Sequence, residues 1–210
     1  DFGLGLWKVL AEDGDATAQF KVGVIYYQGD GVPQDYPEAA KWFREAAEQG
    51  NISAMFFLGA MYSDGGSGLL ENDAEAVKWY RMGAVHGDSA AQVQLGGHYR
   101  RGEGVPEDYS ESTKWFRAVA EQGDAKGQVV LGMVYERGSA VPYEQDYVQA
   151  YMWFNLASVE RQSENNDNEN TVKRRDDLAK RMTVDTDIRS STIVHCMETK
   201  DLGSYPARTR

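Results

Sequence analysis

One cysteine, Cys196, in 210 residues excludes an internal disulfide, so packing alone must hold the chain together. Histidine is almost as scarce. His86, His98 and His195 are the three present, and none is spaced to supply the third or fourth ligand that a zinc site needs. No run approaches the roughly 18 apolar residues of a membrane span, so no membrane insertion is expected. Positive charge is short as well: 22 Lys and Arg face 33 Asp and Glu, a net charge of −11. That field repels phosphate backbones and argues against a nucleic-acid ligand. The Gly-x-Ser-x-Gly, Walker and dinucleotide fingerprints are missing too. What is there is globular: 41% of residues are hydrophobic and 26% charged. The charge is uneven, since residues 171–210 carry nine Lys or Arg against six Asp or Glu, a balance of +3, which leaves −14 on residues 1–170.

The chain repeats itself. The run from Asp15 to Tyr26 recurs as Asn51 to Tyr62, Asp88 to Tyr99 and Asp124 to Tyr135, and Gly23, Gly59, Gly96 and Gly132 follow one another at 36, 37 and 36 residues. A second block is as regular: Lys41-Trp42-Phe43-Arg44, Lys78-Trp79-Tyr80-Arg81, Lys114-Trp115-Phe116-Arg117, and Met152-Trp153-Phe154. A turn lies between the blocks, Gly29 to Pro33, echoed by Gly102 to Pro106 and more loosely by Gly138 to Pro142.

Each copy reads as helix, turn, helix. Ala18, Val22 and Tyr26 lie four apart on one helical face, and Ala39, Phe43, Ala46 and Ala47 form the stripe of the second helix. Asp35 and Asp108 suit the cap of the second helix, and Gly50, Gly87 and Gly123 its left-handed end. Glycine inside the first helix costs about 1 kcal/mol against alanine, so a backbone or a large ring must come close there. The repeated tryptophans and the tyrosines of the Tyr26 type are the expected rings, and the tryptophans are expected to be structural.

The pattern resembles the Sel-1-like repeat family, relatives of the tetratricopeptide repeats. The resemblance rests on Ala-x-Ala-Gln-x-x-x-Gly-x-x-Tyr from Ala16 to Tyr26, Gly-x-Gly-Val-Pro-x-Asp-Tyr from Gly29 to Tyr36, and Ala-x-Trp-Phe-x-x-Ala-Ala-x-x-Gly from Ala40 to Gly50, and it covers residues 15–158. The second copy departs at Asp64 to Leu70 and the fourth around Tyr143 to Gln145. The fold class expected is all-α, a right-handed α/α superhelix of helix-turn-helix repeats, because each repeat buries its apolar stripe only by stacking on neighbours. The expected organisation is a half-repeat cap over 1–14, repeats over 15–50, 51–87, 88–123 and 124–158, a polar loop over 159–170, a capping helix over 171–190 and a tail over 191–210. Val172, Leu178, Ala179 and Met182 give the capping helix an apolar face, and Lys173, Arg174, Arg175, Lys180 and Arg181 a basic one.

Candidate chemistry is thin. His86 is expected to be exposed, His98 to be a packed histidine with one hydrogen bond, and His195 beside Cys196 to bind metal weakly at best. Asp64 and Glu75 have the spacing of a calcium loop's ends, yet Gly66 and Gly68 stand where ligands belong. Asn51-Ile-Ser53 is a glycosylation acceptor that also suits a helix cap. No catalytic residue, metal or cofactor is expected, and the chain is read as non-enzymatic.

By analogy with the tetratricopeptide relatives, first helices line a concave groove for a protein or peptide ligand. Phe20, Val24, Tyr27 and Gln28 would lie on it, followed by Phe56, Ala60 and Ser63, then Val93, Gly97, Arg100 and Arg101, then Val129, Met133 and Arg137. Two alternatives stay open: Phe20, Phe56, Val93 and Val129 as inter-repeat core, and the arginines as members of surface ion pairs with acids such as Glu103 and Glu136. A different class of function is a hydrolase of the β-lactamase type described for cysteine-rich relatives, although the paired cysteines of that branch are absent. A monomer is expected, in a bacterial periplasm or outside the cell, with the cytoplasm as the alternative. A first residue that is not methionine suggests a processed form or an excised fragment.

Overall fold

The computed structural model describes residues 2–65, 71–138, 146–160 and 167–183. Among these residues there are ten α-helices and no strand. They are α1 (Phe2–Glu12), α2 (Ala16–Gln28), α3 (Tyr36–Glu48), α4 (Ile52–Asp64), α5 (Asp73–Val85), α6 (Ser89–Arg101), α7 (Tyr109–Glu121), α8 (Ala125–Arg137), α9 (Tyr147–Glu160) and α10 (Asp167–Thr183). The fold class is all-α, built from repeated helix pairs. None of these helices is long and apolar enough to cross a membrane.

Helix starts are set by short polar side chains that accept the backbone N–H three residues on. Asp15, Asn51, Asp88 and Asp124 cap the first helices through Ala18, Ala54, Ala91 and Gly127 at 2.6–3.0 Å. Asp35, Asn72, Asp108 and Asp146 cap the second helices through Glu38, Glu75, Glu111 and Gln149 at 2.9–3.1 Å. Each cap contributes about 1 kcal/mol. The side-chain oxygen of Asn51 is therefore engaged as a cap. The turns share a closing bond: Asp35, Asn72, Asp108 and Asp146 donate their N–H to the carbonyls of Tyr26, Tyr62, Tyr99 and Tyr135 at 2.8–3.0 Å. Repeats two and four keep this bond although their turn sequences differ from Gly-Val-Pro.

The chain divides into two compact units, residues 1–115 and 116–210. In the first, Gly23 lies under the ring of Phe43 and Gly59 under the ring of Tyr80. A Cβ on either glycine would sit 2.6 Å from a ring carbon, closer than real side chains approach. The ring over each glycine belongs to the residue after the tryptophan, which corrects the expectation of tryptophan or a Tyr26-type tyrosine. One residue is about 100° of helical rotation, so the tryptophan turns instead toward the preceding helices. Trp42 clusters with Ala11, Ala18 and Val22, and Trp79 with Ala39, Phe43 and Leu58. Both tryptophans are buried. The glutamines of the first helices tie repeats together as well. Gln19 donates to the Ala11 carbonyl at 3.2 Å and Gln92 to the Ala84 carbonyl at 3.1 Å.

The second unit repeats the device, with Gly132 under Phe154. Leu131, Tyr135, Ala150, Trp153, Phe154 and Leu178 form one core, and Val148, Tyr151, Met152 and Met182 another. Burial pushes the Tyr151 phenol above its ordinary range, opposed by Arg175 and aided by Asp176. α10 starts at Asp167, five residues before Val172 and inside the stretch read as a polar loop. Glu169 and Asn170 in its first turn are exposed, and an exposed turn leaves no apolar periodicity to read. Thr171 joins Leu178 and Met182 on the buried side. His195, Cys196, Gly66, Gly68, Tyr143 to Gln145 and the tail over 191–210 lie outside the described residues.

Candidate functional site

Each first helix turns Ala18-type and Val22-type residues inward, and the residues two positions on come to the edge of that buried face. Phe20, Val24 and Tyr27 are half-buried on α2, packed against the core of Ala39, Phe43, Ala46 and Leu58. Phe56 is half-buried on α4 and packs toward Tyr80 and Leu95. The rings touch in series. Phe20 lies 5.7 Å from Phe43 and 5.8 Å from Phe57, Tyr27 lies 5.5 Å from Phe57, and Phe57 stacks on Phe43 at 5.1 Å. Phe57 then meets Phe56 at 6.1 Å, Phe56 meets Tyr80 at 5.9 Å, and Tyr80 meets His98 at 5.6 Å. Such pairs are worth about 0.5–1.5 kcal/mol beyond the area they bury. Phe20, Tyr27 and Phe56 are thus both partly packed and partly open to solvent.

Phe57 joins them without having been singled out in the sequence. It occupies the register of Lys21, Gln94 and Val130, a position that is polar in two of those three copies. The repeat therefore sets no fixed character there. Elsewhere on this face Ala60, Ser63 and Val93 are half-buried, Gln28 is exposed and Gly97 is buried.

The arginines behave differently from one another. Arg100 is exposed. Arg101 donates from Nε to Glu103 Oε2 at 2.6 Å, and its Nη1 lies 3.0 Å from where a Cβ on Gly97 would be. In the second unit Val129 and Met133 are half-buried against the Leu131 core, and Arg137 is exposed. Glu136 pairs with Arg174 at 2.8 Å. The Arg101 pair is nearly half exposed on both sides, so it is worth under about 1 kcal/mol.

A second cluster gathers around His98, whose side chain is 1% exposed. Nδ1 lies 3.1 Å from the Glu103 carbonyl, an acceptor only, so Nδ1 carries the proton and donates it there. Nε2 faces Ser63 Oγ at 3.5 Å. His98 therefore meets a polar partner at each nitrogen, where one was expected. Asp73 Oδ1 and Glu103 Oε2 stand 3.8 and 3.9 Å from Nδ1. Burial pushes the Tyr80 phenol well above the ordinary range, and the charges of Asp64 and Asp73 push the same way. Ser63, His98 and Asp73 follow the order of a nucleophile, base and orienter. The carboxylate is beyond hydrogen-bond reach of Nδ1, whose proton goes to a backbone carbonyl instead, so no proton relay is set up. His86 is exposed at the end of α5.

These features define a class: an array of capped helix pairs locked by a glycine under an aromatic ring, with open aromatic edges on α2 and α4. The chain belongs to the Sel1 repeat family, whose model matches residues 16–51, 52–88, 89–124 and 125–158. The crystal structure of a Sel1 repeat protein from Oxalobacter formigenes is 35% identical, with a TM-score of 0.66 over 75% of this chain and 63% of that one. Two Arabidopsis thaliana proteins, the ERAD-associated E3 ubiquitin-protein ligase components HRD3A and HRD3B, are each 38% identical over 60 residues. That stretch is 29% of this chain and 9% and 10% of theirs, so the chain spans only a small part of these curated relatives.

Proposed function

We propose that the chain is a non-enzymatic scaffold that holds a protein or peptide segment against its first helices. The observation that carries this reading is the run of half-open rings at Phe20, Tyr27, Phe56 and Phe57. Aromatic side chains that are held in place yet partly exposed bind an apolar segment with little further loss of rotamer entropy. Val24 widens the apolar strip, and Arg100 and Arg101 bring charge-assisted donors for an acidic side chain or a C-terminal carboxylate. Met133 and Arg137 offer the same pairing of apolar and basic groups within the second unit. The plant relatives are by name components of a ligase, which fits a role in an assembly. The hydrolase reading gains nothing: one cysteine is present, and the Ser63–His98 pair lacks a carboxylate bonded to Nδ1.

The test begins with affinity capture on the immobilised chain and identification of what binds. Calorimetry then compares that partner's affinity for Val24→Lys, Arg100→Glu and, as a control on a second helix, Lys78→Glu. The first two should weaken binding by roughly ten-fold or more, about 1.4 kcal/mol, while the control stays within about two-fold. Folded variants with unchanged affinity at positions 24 and 100 would overturn the assignment of this face.

A further inference from the structure

Asp73, His98 and Glu103 come together from the start of α5, the end of α6 and the turn after α6. We propose that they bind one divalent cation of the zinc class, bridging the second and third repeats. One ligand atom from each lies within 4.8 Å of the others. A zinc ion with ligands at about 2.0–2.1 Å holds them about 3.3–3.5 Å apart, so contraction by a few tenths of an ångström around His98 brings two pairs into range. The two carboxylates can make that movement, because Asp73 and Glu103 are partly exposed while the histidine is fixed by burial.

The turn is positioned for the task. Gly102 (φ 70°) and Gly104 (φ 68°) flank Glu103 in the left-handed region. Gly104 lies so close to the first peptide of α5 that a Cβ would sit 2.3 Å from the carbonyl carbon and oxygen of Asp73. That contact sets Glu103 beside Asp73. The Glu103 carbonyl, 3.1 Å from Nδ1, adds a fourth donor and the third oxygen. One imidazole nitrogen and three oxygens suit a borderline cation such as zinc. Two carboxylates balance its charge, in a chain of net charge −11.

Binding requires a defined proton move. Nδ1 must be bare to coordinate, so its proton leaves and Nε2 takes one up, donating to Ser63 Oγ in a neutral imidazole with no net change in protons. Glu103 Oε2 leaves Arg101, whose guanidinium turns to solvent.

The experiment uses the whole chain, stripped with chelator, titrated with zinc chloride in a calorimeter and with cobalt chloride by visible absorption. One-to-one binding is expected, with a nitrogen and oxygen cobalt spectrum free of thiolate charge transfer. Asp73→Asn and Glu103→Gln keep shape and leave the Asn72 cap intact, and each should weaken binding by roughly ten-fold or more. The double variant His195→Ala with Cys196→Ser should bind as well as the parent. Ring nitrogen shifts should move His98 from the Nδ1-protonated to the Nε2-protonated form on zinc addition. Absence of saturable binding up to millimolar zinc would overturn the proposal. So would binding that survives both carboxylate variants, is lost in the His195 and Cys196 variant, or leaves the His98 tautomer unchanged.

Discussion

Alanine at Gly59 puts the packing logic of the repeat under direct strain. The new methyl would stand 2.6 Å from Cδ1 and Cε1 of Tyr80 and 3.0 Å from its Cγ, where ordinary contact begins near 3.5 Å. Tyr80 has little room to yield. It is 2% exposed, with Phe56 on one side at 5.9 Å and His98 on another at 5.6 Å. Two terms compete. Alanine improves the helix by about 1 kcal/mol over glycine, while forcing one extra carbon into a packed core costs about 1–3 kcal/mol. The clash involves the body of a buried ring, which favours the upper part of that range. Gly59→Ala should therefore destabilise the protein by about 1–2 kcal/mol. Gly5→Ala is the matched control. Gly5 sits inside α1 with nothing within 4 Å of its Cβ position, so the substitution should raise stability by up to about 1 kcal/mol. Urea denaturation followed by circular dichroism reads both, with slopes held common. A Gly59→Ala midpoint at or above the parent's would refute the close-approach argument.

Three further substitutions test other parts of the fold. Trp79→Ala empties a buried site among Ala39, Phe43 and Leu58 and should cost about 3–5 kcal/mol in the same assay. An unchanged midpoint would mean the indole is not part of the core. Gln92→Ala removes the side-chain donor to the Ala84 carbonyl, which keeps the Gly87 N–H at 3.0 Å, and should cost about 0.5–1.5 kcal/mol, against no more than about 0.5 kcal/mol for an exposed polar residue such as Gln28. Alkaline pH should weaken the fold. The Tyr80 pKa is raised in the folded state, so its contribution is complete below the unfolded value near 10 and is lost as pH rises above it. Urea midpoints should fall from about pH 9 to pH 11, and Tyr80→Phe should fall less steeply. Equal slopes for the two proteins would remove Tyr80 from the account.

The helix pairs were legible in the sequence because the same glycine, tryptophan and capping residues return at a fixed period. The identity of the ring over Gly23 and Gly59 was not. Trp42 and Phe43 are adjacent in sequence, and only the helical rotation between them decides which faces the glycine. Phe57 escaped because its position is polar at Lys21 and Gln94 and apolar at Val130, so the repeat sets no fixed character there. Asp73, His98 and Glu103 meet across two helices and a turn, and no local spacing announces such a meeting. The residues assigned to the proposed partner surface divide in the same way. Their register on the first helices was readable, while their half-burial depends on which neighbouring rings arrive from other repeats.

The most direct test of the partner surface is hydroxyl-radical footprinting of the chain with and without its captured partner. Phe20, Tyr27, Phe56 and Phe57 are half-open on the first helices, and Met82 is exposed on the second helix α5. All five side chains are oxidisable. Bound partner should sharply lower oxidation of the aromatic residues on α2 and α4 and leave Met82 as reactive as in the free chain. Protection of Met82 with unchanged oxidation at Tyr27 and Phe56 would place the partner on the second helices and contradict the account.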